Sequence, residues 1–354
     1  MVCCTGLKPR ALVLAAALFA GSVLHAQSTP KDALLVLSKK DRTVSIVDPA
    51  NLKVLTRVSV GDDPHEVVAS TDGKTAYISN YGGGALHTLA VVDLVRQRAL
   101  PSIDLGLLGG PHGLAFVGGK TWFTAEAAKV IGSYSPATGK VDWILGTGQN
   151  RTHMIYVADD RKRIITTNVS SGTVSFIEKI TRAAGPGMSP ANGPGPARPM
   201  GPPRDDWDET VVKVGNGAEG FDVSPDGKEL WVGNALDGTI SIVDIATKRV
   251  IQTLSANAVG ANRLKFTPDG RLAFLSTLRG SDLIILDTAS RQTVKRLKIG
   301  HGAAGILMQP DGARAFVACT PDDYVVVVDL KSLEVTGKID AGPQPDGLAW
   351  AVRR

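Results

Sequence analysis

Three histidines share one setting in this chain. His65 follows Asp-Pro, His112 follows Gly-Pro and His153 follows Arg-Thr, and each stands directly before a short apolar run. The same position before later runs is held by Glu219, Asn262, Ala304 and Asp346. A second series stands fifteen residues after these markers: Asn80, Asn168, Asn234, Thr277 and Cys319. Glu126 belongs to it at an offset of fourteen, and Ser38 matches it near the N-terminus. If both series converge, the chemistry open to them is of three kinds. They hydrate a channel and cap turns, copied from repeat to repeat for packing reasons. They bind a small molecule, with Arg151 and Arg263 beside them to hold an anion or carboxylate. Or they hold a divalent transition metal on His65, His112 and His153, with Glu126 or Glu219 as general base. Weaker candidates are a Cys319–His301 pair as nucleophile and base, and His87, which reads as surface. Asn150-Arg-Thr and Asn168-Val-Ser fit the glycosylation sequon. There is no phosphate-cradling glycine loop, haem-attachment cysteine pair or catalytic serine motif.

The elements that position these residues repeat. One unit runs from Gly61 through Thr71-Asp-Gly-Lys74 and Tyr77-Ile-Ser-Asn80 to Thr88-Leu-Ala-Val-Val-Asp93. Another runs from Gly217 through Ser224-Pro-Asp-Gly-Lys228 and Leu230-Trp-Val-Gly-Asn234 to Thr239-Ile-Ser-Ile-Val-Asp244. Short apolar runs between turn signals are the pattern of antiparallel strands. Pro-Asp-Gly makes the first turn, since Pro presets φ and Gly takes positive φ. Asn at the end of the second strand suits a left-handed residue. Four strands in about forty residues make a propeller blade.

Successive markers are 47, 41, 66, 43, 42 and 42 residues apart. The long step holds a Pro/Gly-rich loop insertion, 183–208, in the fourth blade. It falls between third and fourth strands, on the face opposite the markers. Residues 346–350 read as a first strand only, and 33–60 supply a second, third and fourth. Joined, they complete a seventh blade and leave no open edge. The expected fold is all-β: a seven-bladed β-propeller of four-stranded antiparallel blades, closed by N-terminal strands pairing with the C-terminal strand.

Tyr-Ile-Ser-Asn80 and Trp-Val-Gly-Asn234, with Ser-Pro-Asp-Gly-Lys and Ile-Ser-Ile-Val-Asp, resemble the YVTN-repeat β-propeller family across nearly the whole mature chain. The resemblance implies a disc with a central channel and first strands innermost, so that the markers ring one mouth. The family is distantly similar to the propellers of haem-d1 nitrite reductase, nitrous oxide reductase and lactonases. That similarity makes lactone opening the natural reaction if the chain is an enzyme, but fold alone assigns none.

Composition sets the remaining bounds. The chain has 354 residues, 43% of them hydrophobic and 21% charged, with 39 glycines, which suits a packed core with many tight turns. Lys8, Arg10 and the apolar run Ala11–Val23 read as a secretory signal ending near Ala26. The mature chain, 27–354, is then a single domain, periplasmic or secreted, without a transmembrane span. Loss of Lys8 and Arg10 lowers the formal charge from +5 to +3, which is too mild for a nucleic-acid partner. Cys319 is the one cysteine outside the leader, so no intrachain disulfide forms. The expectation is a monomeric binding or scaffolding module for a small molecule or a protein partner. The alternative is a metal-assisted hydrolase or lactonase at the same mouth.

Overall fold

The computed structural model describes residues 1–3, 28–182 and 203–354. The leader and most of the insertion lie outside the described residues. Seven four-stranded antiparallel sheets follow one another round a ring. We number the blades in chain order, beginning with the split one. Blade 1 pairs the C-terminal strand Pro345–Val352 with Asp32–Ser38, in register from Asp32↔Val352 to Ser38↔Pro345. The innermost strands of blades 2 to 7 are Pro64–Ala69, Pro111–Val117, Thr152–Val157, Ala218–Val223, Ala261–Phe266 and Ala303–Met308. No described helix is long and apolar enough to cross a membrane.

The strands are apolar on both faces because each blade is sandwiched between two others. The core is therefore seven inter-blade layers rather than one nucleus. Leu35, Leu37 and Ile46 of blade 1 pack on Val67, Ile78 and Val92 of blade 2. Trp231 and Ile242 of blade 5 pack in the same way on Leu264 and Leu275 of blade 6.

Every innermost strand carries a β-bulge at the same place. Pro64 pairs with Asn80 but Val67 with Ile78, so one extra residue is fitted at His65-Glu66. The same shift occurs at His112-Gly113, His153-Met154, Glu219-Gly220, Asn262-Arg263, Ala304-Gly305 and Asp346-Gly347. A bulge re-aims side chains and frees ladder groups, and freed backbone groups need other partners. In four blades a hydroxyl of the second strand supplies them. Thr124 Oγ1 accepts from Gly113 N–H (2.9 Å) and donates to the carbonyl of His153 in the next blade (2.8 Å). Ser79 links Glu66 N–H to His112 O, Thr167 links Met154 N–H to Glu219 O, and Ser276 links Arg263 N–H to Ala304 O. Elsewhere glycine lets the backbones touch. A Cβ on Gly347 would stand 2.3 Å from His65 O, and one on Gly305 would stand 2.2 Å from Asp346 O. The rim positions are thus fixed from blade to blade.

The insertion is shorter than its composition suggests. Residues 204–208 are not loop. Arg204–Lys213 is a ten-residue strand paired with Thr173–Arg182 out to Arg182↔Arg204. Acidic side chains there meet basic ones across the pair, with Lys179–Asp205 at 2.7 Å and Arg182–Asp206 at 2.6 Å.

Candidate functional site

The mouth on the bulged side of the disc holds a cup of about 290 Å³. All seven blades line it. The markers His65, His112, His153, Glu219, Asn262, Ala304 and Asp346 all contribute, with Lys39, Arg151 and Arg263. Below them Arg263 of blade 6 forms an ion pair with Glu66 of blade 2. The two blades lie on opposite sides of the ring, so the pair bars the channel and floors the cup. Arg263 thus lines the cup with its guanidinium already engaged by Glu66.

Two charged groups face each other across the cup. On one side His153 is clamped between carboxylates: Nδ1 against Glu126 Oε1 and Nε2 against Glu219 Oε1 at 2.8 Å. Tyr81 donates its hydroxyl to Glu126 Oε2 at 2.6 Å. Burial works against a charge on His153, but Glu219 and the bonds to both carboxylates outweigh it and raise its pKa. Burial alone would raise Glu219; the His153 charge and hydrogen bond overturn that and hold it at about 2. Glu126 is lowered against burial by the same imidazole. Burial and its own bond to Glu126 push Tyr81 up to about 12. Arg151 stays loose, 3.6 Å from Glu126 and 3.7 Å from Glu219, with its side chain 42% exposed.

On the other side His65 Nε2 accepts from Lys39 Nζ at 2.8 Å, and its Nδ1 is 3.4 Å from Asp346. Lys39 also lies 3.5 Å from Asp63 and 3.4 Å from Asp346. His112 bridges the two groups. Its ring centroid is 3.8 Å from that of His153 and 4.9 Å from that of His65. Burial, then the charge on His153, drive its pKa well down, so it is neutral. Its Nδ1 is buried with no partner among the described residues.

The second series is placed differently from expectation. Asn80, Asn168 and Asn234 are buried and their amides are engaged inside their own surroundings. Asn80 donates to the carbonyls of Val60 and Asp62. Asn168 donates to Thr173 and Ser175, and Asn234 to Thr239 and Ser241, tying second strand to third. None of the three has positive φ, so side-chain bonding rather than backbone tolerance accounts for them. Glu126 is not their equivalent. The two-residue Gly118-Gly119 turn shortens blade 3 by two residues, so Pro111 pairs with Ala125 and Glu126 stands one place further on. That next place is held by Lys39, Leu278 and Thr320, which line the cup, and by Tyr81, which bonds Glu126; Val169 and Ala235 hold it in blades 4 and 5 without lining the cup. The Cys319–His301 pair does not form. Cys319 is fully buried, its pKa pushed up to about 12 by burial, with Sγ against Ile299 O. His301 is exposed on Asp322. His87 is likewise exposed, on Asp104.

Sequence reasoning also passed over the position two before each marker, except at Arg151. It has positive φ in all seven blades: Gly110, Gly217, Gly260 and Gly302, but also Asp63, Arg151 and Gln344. An L-residue there costs about 1–2 kcal/mol, and such strain gathers at functional sites. Two of the three exceptions put a charge at the mouth. A non-glycine at a glycine position was the signal that would have found Asp63 as well.

No protein-family model matches the chain, and no curated protein matches it. Solved structures do. A functionally unknown protein from Desulfotomaculum acetoxidans superposes with a TM-score of 0.70 at 15% identity, covering 91% of this chain and 99% of that one. The chain is a β-propeller of their kind. A candidate 6-phosphogluconolactonase from Bacteroides uniformis gives 0.69 at 16%, covering 91% and 100%. The dihydro-haem d1 dehydrogenase NirN gives 0.61 at 15%, covering 91% and 75%. At such identities the likeness establishes the fold alone.

Proposed function

We propose that this propeller is an exported, YVTN-type binding module that takes a small anionic molecule, a carboxylate or phosphate, in the cup. Export rests on the Lys8/Arg10 and 11–23 pattern, and the family type on the repeated Pro-Asp-Gly and strand motifs. The observation that carries the binding reading is the floored cup, crossed by Arg263–Glu66 and lined by ionisable groups from six of the seven blades. Arg151, strained and loosely paired, is the cation free to exchange partners. Asn262, buried at the wall, supplies an amide.

Direct acid–base catalysis fits less well. A base working near neutrality needs a pKa near the working pH, and Glu219 at about 2 is already committed to His153. The hydrolase reading keeps one observation in its favour, the Tyr81–Glu126–His153–Glu219 chain, and one fold neighbour named as a candidate lactonase.

Calorimetry in EDTA with inorganic phosphate, succinate, gluconate and 6-phosphogluconate tests the binding reading. Saturable binding of at least one, weakened about tenfold by Arg151→Gly and by Asn262→Leu, is expected, about 1.4 kcal/mol. Arg151→Gly relieves the left-handed strain, so it leaves folding stability within about 1 kcal/mol. No binding, or binding indifferent to both substitutions, overturns it.

A further inference from the structure

We propose that His112, His153 and Glu126 form a site for one divalent first-row transition-metal ion in the wall of the cup. The proposal deepens the binding reading and rests on it only for the route by which an ion reaches the donors. One ligand atom from each of the three lies within 4.8 Å of the others. Tetrahedral donors about 2.0–2.2 Å from a shared ion are about 3.3–3.6 Å apart, so side-chain shifts of about an ångström, opening the His153–Glu126 contact and bringing His112 in, close the set.

Four further observations point the same way. His112 is 3% exposed and its Nδ1 has no partner among the described residues, and such buried orphans call for an occupant. The outer contacts are those that orient metal ligands: Glu219 Oε1 on His153 Nε2 at 2.8 Å, and Tyr81 on the second oxygen of Glu126 at 2.6 Å. Glu126 and Glu219 together carry the two negative charges a divalent ion needs. Finally, two imidazoles and one carboxylate suit zinc, cobalt or iron(II), whereas magnesium and calcium take oxygen donors. The ion takes the place of the proton between His153 Nδ1 and Glu126, which leaves to solvent. Its remaining coordination positions face the cup, where an anionic ligand would complete them.

His65 is not part of the set. Its Nε2 is held by the Lys39 ammonium, and a cation there repels a second one. The three-histidine arrangement expected from sequence is thereby replaced by two histidines and Glu126. The exposed pairs His87–Asp104 and His301–Asp322 offer two ligands each.

The test uses the full chain, stripped with EDTA and then titrated with Co²⁺ and with Zn²⁺ by calorimetry and visible absorption. One equivalent per chain is expected, with a cobalt spectrum lacking any thiolate charge-transfer band. Affinity falls at least about 100-fold in His112→Gln and in Glu126→Gln, and about 10–100-fold in Glu219→Gln. His65→Gln stays within about threefold of wild type, since its removal costs no ligand. A wild-type chain without a one-per-chain site overturns the proposal. So does a site undiminished in Glu126→Gln, or one lost equally in His65→Gln. If His112→Gln fails to fold, the wild-type spectrum and Glu126→Gln decide. Anion binding is measured in EDTA, so either result stands or falls without the other.

Discussion

Arg263 and Glu66 are the two bulge residues whose side chains meet across the ring. Four of the seven bulges carry glycine in the same place, Gly113, Gly220, Gly305 and Gly347. The Arg263 side chain is 8% exposed and that of Glu66 14%. Truncating one partner of a buried ion pair leaves the other charge stranded, at about 3–5 kcal/mol. Arg263→Met should therefore lower the urea midpoint sharply, while Arg263→Met combined with Glu66→Met should recover most of the loss. Equal midpoints for the single and double variants would show that the two charges do not act as a pair. Residues such as these were hard to read from sequence. The markers were legible because the repeat period puts them in one place. Arg263 was legible as a neighbour of the site but its pairing with Glu66 was not, because nothing in a linear chain says that blade 6 faces blade 2. Lys39, Tyr81 and Asp63 were missed because they reach the mouth from positions where the blades differ. Asn80, Asn168 and Asn234 misled for the opposite reason. Each is spent on holding its own blade together: Asn168 and Asn234 tie the second strand to the third, and Asn80 holds the turn that leads into the first.

The bulged strand and the hydroxyl beside it act as one device. The bulge turns the marker toward the mouth and releases an N–H and a carbonyl; Ser79, Thr124, Thr167 or Ser276 takes up both, across a blade boundary. Removing the hydroxyl without changing the shape leaves both groups buried and unpaired, at about 1–3 kcal/mol. Thr124→Val should lose that amount in denaturant unfolding and should loosen His153, whose carbonyl it holds. The same change at Thr138, an exposed turn residue, should cost under about 1 kcal/mol. Strand number and turn chemistry were visible in the repeat. The bulge was not, because one extra residue inside a strand leaves the apolar pattern around it intact.

Closure of the ring joins residues more than three hundred positions apart: Ser38 donates to Pro343 O, and Ala33 pairs with Ala351. Deleting 345–354 removes the inner strand of blade 1, together with Asp346 of the cup, and bares the edge of Asp32–Ser38. Such an edge is a template for pairing with other chains. The truncated protein should elute as aggregate in gel filtration, whereas the intact chain should unfold in one transition reported alike by circular dichroism and tryptophan fluorescence. Two separate transitions in the intact chain would mean that the seven layers do not stand or fall together. This closure was legible in the sequence, since the two terminal fragments lack complementary strands.

The bar formed by Arg263 and Glu66 makes the molecule one-sided. A wheel with an open hub has two equivalent mouths; with an ion pair laid across the hub, this one has a cup on one side only where all seven blades meet. A macromolecule seated on the rim would seal the contents in. One seated on the far face, toward which the paired strands Thr173–Arg182 and Arg204–Lys213 extend, would leave the opening clear.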